Sequence, residues 1–143
     1  MISLKSEREL KIEWLSRSKP LRIRLIGLKA ERTERLSRAE YAGISYGGER
    51  GGQSGNTTDY KYGALAETEA EITEVKKELA RVEAEIKAAI SQVHNPIYQT
   101  YLRMRFLAYK SEKQIAKETG YSIESIDGYI RRNSLDAVKV NGK

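Results

Sequence analysis

Four unbroken heptads between residues 64 and 93 constrain this chain more than any other feature in it. Leu65, Ile72, Leu79, Ile86 and Val93 recur every seventh residue, and Thr68, Val75, Val82 and Ala89 each follow three residues behind. On an α-helix these positions make one continuous seam, the a and d positions of a coiled coil. Glu71, Glu78 and Glu85 line one flank at g, and Glu83 with Lys87 adds a local i,i+4 pair. Such a seam needs a mating surface. The expected oligomerisation residues are Leu65, Ile72, Val75, Leu79, Val82, Ile86 and Val93, joining a homodimer, and packing within the chain is the other use of the same stripe.

The first 42 residues supply a natural mate. Pro20 disfavours a continuous helix through Ser18 and Lys19 but suits the first turn of a new one, so the segment reads as two helices. Beyond it Leu21, Leu25, Leu28 and, less regularly, Leu36 form a stripe among Arg22, Arg24, Lys29, Arg32, Arg35 and Arg38. Residues 1–42 carry eleven Lys or Arg against six acids, residues 43–94 six against nine, and residues 95–143 nine against five. A basic helix and an acidic helix, each with an apolar stripe to bury, are expected to pair as a hairpin or as the arms of a dimer. Between them "GISYGGERGGQSGNTTDYKYG", residues 43–63, holds seven of the chain's eleven glycines. It is expected as a flexible loop, since it buries too little to offset its ordering entropy. "GGERGG" resembles arginine-glycine RNA-binding tracts, but a single arginine favours the linker. The absence of a Gly-Lys-Ser/Thr ending argues against a phosphate-cradling loop.

Other functional classes fit poorly. There are no cysteines and only one histidine, His94, so neither a thiolate nor a histidine-rich metal site can be assembled. Most acids lie on the solvated flanks of the heptads and no nucleophile–base pair stands out, so no enzymatic activity, catalytic residue, metal or cofactor is expected. No run approaches the roughly 20 apolar residues needed to span a bilayer, and "MISLKSERELKIEW" lacks a signal-peptide core, which predicts a cytoplasmic protein with no membrane contact.

The fold class is therefore all-α, with residues 1–94 as a helical hairpin or coiled-coil arm and residues 95–143 as a separate module. Asn95 caps and Pro96 opens a helix running to about Ala108, with Ile97, Tyr101, Met104 or Leu102, and Leu107 inward. Ser111 with Gln114 three residues on is a capping box opening a helix to about Thr119. Gly120 stops that helix, and Ser122 caps the last, from Ile123 to about Ala137. Ala116, small where two helices cross, and Gly120 at the turn are the requirements of a helix-turn-helix, with Ile115, Ile126 and Ile130 filling the wedge. The outward face is then Glu124, Ser125, Gly128, Arg131 and Arg132, and Tyr121 and Tyr129 are expected at the edges of the core.

"LRMRFLAYKSEKQIAKETGYSIESIDGYI" resembles the C-terminal helix-turn-helix of bacterial sigma factors, in which an arginine-rich helix precedes an I-A-x3-G-x-S turn. The whole layout is similar to the small RinA and ArpU regulators from phages of Gram-positive bacteria. That resemblance implies a DNA-binding activator of late phage genes, with double-stranded DNA as partner, Ser122 as cap of the recognition helix, and Ser125 and Gly128 where base-contacting side chains usually stand. The residues assigned to DNA are Lys110, Ser111, Lys113, Gln114, Ser122, Glu124, Ser125, Asp127, Gly128, Arg131 and Arg132. Three departures stand out: Asp127 replaces a usual arginine, Gly128 offers no side chain, and Leu135 falls one position late. An acidic side chain in the major groove can accept from a cytosine amino group. The competing reading is a protein-binding factor whose arm grips RNA polymerase, a packaging complex or a host-defence nuclease, with the helix-turn-helix as a folded cap.

Overall fold

Ser6 opens the first helix, α1 (Glu7–Leu15), because its side chain accepts from the Glu9 amide while the Glu9 carboxylate accepts from its own. This reciprocal box satisfies two amide groups that a helix start leaves without partners. The structure is a computed structural model describing the backbone of residues 5–46 and 51–140 and the side chains of residues 5–40 and 62–140. Among the described residues every regular element is helical. α2 (Ser18–Tyr46) begins two residues before Pro20, so the proline sits in the first turn, where its missing N–H costs no helical bond. α3 (Gly51–Ser91) carries the heptads.

Helical backbone thus reaches Tyr46 and resumes at Gly51, narrower than the break expected over residues 43–63. Once a helix is nucleated by packing, each further residue gains a hydrogen bond, so it propagates into sequence that would not start one alone. Residues 47–50, the first four of "GGERGG", lie outside the described residues.

The chain divides into two compact units, Pro20–Leu79 and Met1–Lys19 with Ala80–Lys143. In the first, Leu28 of α2 is buried with Ile72 and Val75 of α3, and Leu21 and Leu25 pack against them. Arg24 lies 3.8 Å from Glu71, the basic helix against the acidic one. Leu36, expected on the α2 stripe, is exposed, and Ala39 is fully buried. From Leu28 the helical repeat leads to positions 32, 35 and 39, so Leu36 lies one residue, about 100°, off the seam.

In the other unit, Asn95 accepts from the amides of Ile97 and Tyr98, and Pro96 starts α4 (Pro96–Leu102). The helix continues into a π-helical turn, Arg103–Leu107, closed by the Ala108 amide donating to the Arg103 carbonyl five residues back. That wider turn rotates the inward face. Tyr101 and Leu102 are buried as expected and Phe106 joins them, whereas Ile97 is 41% exposed and Leu107 only half-buried, which corrects those two positions. Tyr109 then turns the chain with φ 60, a left-handed conformation held by its hydroxyl, 2.5 Å from the buried Ser18 hydroxyl. Next come α5 (Glu112–Thr119) and α6 (Ile123–Ser125), which passes through a second π-helical turn, Ile126–Ile130, into α7 (Arg131–Ala137).

α1 docks on α7. The buried Lys11 ammonium donates to the Leu135 carbonyl at 2.9 Å, supplying a partner to the last turn of α7. Arg8 forks onto Asp136 with bonds of 2.8 and 2.9 Å, and Leu15 is fully buried.

Candidate nucleic-acid interface

The corner between α5 and α6 is built from caps. Ser111 Oγ accepts from the Gln114 amide at 3.1 Å, and Gln114 Oε1 accepts from the Ser111 amide at 3.3 Å. α5 ends at Gly120, whose φ of 84 lies in the left-handed region open to glycine, and its amide donates to the Ala116 carbonyl. Two residues on, Ser122 Oγ accepts from the Ser125 amide at 3.1 Å and donates to Ser125 Oγ at 3.0 Å. Ile115, Ile126 and Ile130 are buried together in the wedge. Ser111, Gln114, Ser122 and Ser125 therefore use hydrogen-bonding groups to hold the corner itself.

The segment after Ser122 is not the single helix expected from Ile123 to Ala137. Gly128 has φ −92 and ψ −108, outside the helical range, and lies inside the second π-helical turn. A Cβ at this glycine would approach only Arg132 Nη1, at 4.0 Å, so the backbone path rather than crowding uses the glycine. The wide turn holds an extra residue, and this brings Leu135, one position late in sequence, into the core at 1% exposure.

Glu124, Asp127, Lys113 and Arg132 are exposed. Two of the cations assigned to DNA are instead engaged within the chain. Lys110 Nζ lies 2.6 Å from Glu118, and the half-buried Arg131 has Nε 3.9 Å from the Glu112 carboxylate. Tyr121 and Tyr129, expected at the core edge, are exposed, because Ile126 and Ile130 fill the wedge and leave Tyr129 on the other side of the turn. The expected oligomer residues Leu65, Ile72, Val75, Leu79, Val82, Ile86 and Val93 are all buried within the single chain.

A residue absent from the expected set organises this surface. Glu112, in the first turn of α5, accepts from the Tyr101 hydroxyl at 2.7 Å and has Arg105 Nε at 3.8 Å as well as Arg131. Asp127, on the second π-helical turn, acts on the same carboxyl. Burial first, and then the neighbouring Asp127, raise the Glu112 carboxyl above its ordinary value, although Tyr101 and Arg105 act the other way. Burial, reinforced by the Glu112 bond, raises the Tyr101 phenol, which stays a donor. An acid whose folded pKa is raised holds its proton better when folded, so its contribution is full below the ordinary glutamate value of about 4.3 and is lost as pH rises through the raised one. Glu112→Gln is expected to raise the melting temperature at pH 7 and to flatten its fall from pH 4.5 upward. A lower melting temperature at pH 7 would show that the two arginines outweigh Asp127.

A groove of about 310 Å3 opens beside the wedge, backed by Ile115, Ile126 and Ile130 and bordered by the exposed Ile97 and Tyr121. Among the described residues no cluster of three or more His, Asp or Glu is placed to hold a metal, and no helix is long and apolar enough to cross a membrane. In comparisons with known proteins, no family model, curated protein or solved structure matches this chain.

Proposed function

We propose that the chain is a sequence-specific, double-stranded-DNA-binding transcription regulator of phage or prophage type, acting in the cytoplasm. The observation that carries this reading is the α5–α6 corner. Capped by Ser111 and Ser122 and turned by Gly120, it backs a segment on buried Ile126 and Ile130 and leaves Glu124, Asp127 and Arg132 exposed. That arrangement suits the major groove. Lys113 and Arg132 are the phosphate contacts, and Asp127, set against Glu112, is the acceptor for a cytosine amino group. The phage assignment rests on the resemblance to the RinA and ArpU regulators. Burial of the heptad seam within one chain favours a closed hairpin, and a homodimer through residues 64–93 requires exchange of helices between chains.

Mobility shift with the DNA flanking the protein's own gene, over a salt series, tests the reading. A specific fragment is expected to shift and to lose affinity steeply with salt. Lys113→Ala with Arg132→Ala is expected to weaken binding to every sequence and to flatten the salt slope by about 1 to 2. Asp127→Asn is expected to relax the preference at one base pair by about 1 to 3 kcal/mol. If no fragment binds at physiological salt, the second reading takes over. It is a protein-binding factor, with RNA polymerase among the candidate partners, and the apolar groove bordered by Ile97 and Tyr121 is the observation that favours it.

A further inference from the structure

A cavity of about 1260 Å3 lies away from the helix-turn-helix corner, between α1, the end of α3, the start of α4 and the end of α7. Ala88, Ala89 and Ala137 line it, and their small side chains give it depth. Trp14 and Tyr98, both half-buried, supply aromatic surface. The Arg17 guanidinium lies over the Trp14 ring, 4.3 Å from its centre. It is held there by Nε donating to the Trp14 carbonyl at 3.0 Å and Nη2 donating to Glu85 at 2.8 Å. Arg81 donates to the other Glu85 oxygen at 2.9 Å. One carboxylate thus orients two guanidinium groups, and Lys139 adds a third cation, leaving the lining positive.

Size and chemistry together select the occupant. The cavity exceeds the roughly 300–1000 Å3 of small-molecule sites, so an extended chain fits better than a compact ligand. Cations interleaved with aromatic faces suit phosphates and stacked bases. An acidic peptide would use the cations but bring no flat ring to the aromatic pair. We propose that this cleft binds a short run of single-stranded nucleic acid, with bases stacking on Trp14 and Tyr98 and phosphates held by Arg17, Arg81 and Lys139. None of these residues belongs to the proposed duplex contacts, so the two readings stand or fall separately.

Trp14 is the chain's only tryptophan, and its fluorescence therefore reports on the cleft. Full-length protein is titrated with a ten-nucleotide oligothymidine, a ten-base-pair duplex and a ten-residue glutamate peptide. The single strand is expected to quench the emission saturably and to bind less tightly as salt rises. Arg81→Ala with Lys139→Ala is expected to flatten that salt slope by about 1.4, two phosphates at 0.7 each. Trp14→Leu, read by anisotropy of a labelled oligonucleotide, is expected to weaken binding roughly 5- to 150-fold. Should Trp14→Leu prove poorly folded by circular dichroism, the salt slope of the double variant decides, since Arg81 and Lys139 are exposed. The proposal is overturned by absence of quenching at low salt, by equal quenching with the duplex or the peptide, or by an unchanged slope in the double variant.

Discussion

Ile72→Asp is expected to melt the helical hairpin while leaving the mass of the protein in solution unchanged. Ile72 is 3% exposed and packs with Leu28 and Val75 at the centre of the seam between α2 and α3. The substitution removes that packing and puts a carboxylate among apolar side chains. Losing the packing alone costs about 2–5 kcal/mol, and an unpaired buried charge adds to it. Together these approach the whole stability of a typical domain, roughly 5–15 kcal/mol. Circular dichroism at 222 nm is expected to fall sharply. Sedimentation equilibrium is expected to give one mass for wild type and variant, because the seam is closed within the chain. A mass that halves in the variant would instead identify helices exchanged between two chains.

Removing residues 1–17 is expected to destabilise the C-terminal module, although the two are far apart in sequence. α1 contributes Leu15, fully buried, and the Lys11 ammonium on the Leu135 carbonyl. Loss of a side chain such as Leu15 costs about 2–5 kcal/mol, and loss of a charged hydrogen bond about 1.5–3 kcal/mol. The Arg8–Asp136 pair is exposed and contributes little. For a unit of this size the sum corresponds to a fall in melting temperature of about 15 °C or more. Under the proposed function, duplex binding is lost with it at the temperature where the module melts. A shortened chain that melts within about 3 °C of wild type would mean that α1 merely rests on α7.

The helices and their caps were legible in the sequence because those signals are local. Asn95–Pro96, the Ser111–Gln114 box, Gly120 and Ser122 act over three or four residues, and each stands in the structure where the sequence puts it. The heptads likewise predicted which residues are buried, since Leu65, Ile72 and Val75 share a face on any α-helix. Periodicity does not say what covers that face. Exposure of Leu36 and burial of Ala39 show the limit even within one helix, because a stripe read by residue type overlooks a small buried alanine.

The corner was legible in position, but the surroundings of its charged residues were not legible in detail. Lys113 and Arg132 stand exposed as expected, whereas Lys110 and Arg131 face Glu118 and Glu112. No spacing rule brings Glu112 beside Asp127, since they lie on different helices and meet only because the corner folds one across the other. The π-helical turns at Arg103–Leu107 and Ile126–Ile130 were equally out of reach, as a regular repeat of 3.6 residues places Leu107 inward and Leu135 one step late. By itself, then, the sequence determined the all-α class, the helix starts and stops, and the turn that makes the corner, all through short-range hydrogen bonding and helical periodicity. Tertiary packing alone decided what covers the seam, that α1 completes the C-terminal unit, and that two wide turns set the final register. The physical reason is that these choices depend on which apolar surfaces find one another across long separations, where burial outweighs the small local cost of a widened turn.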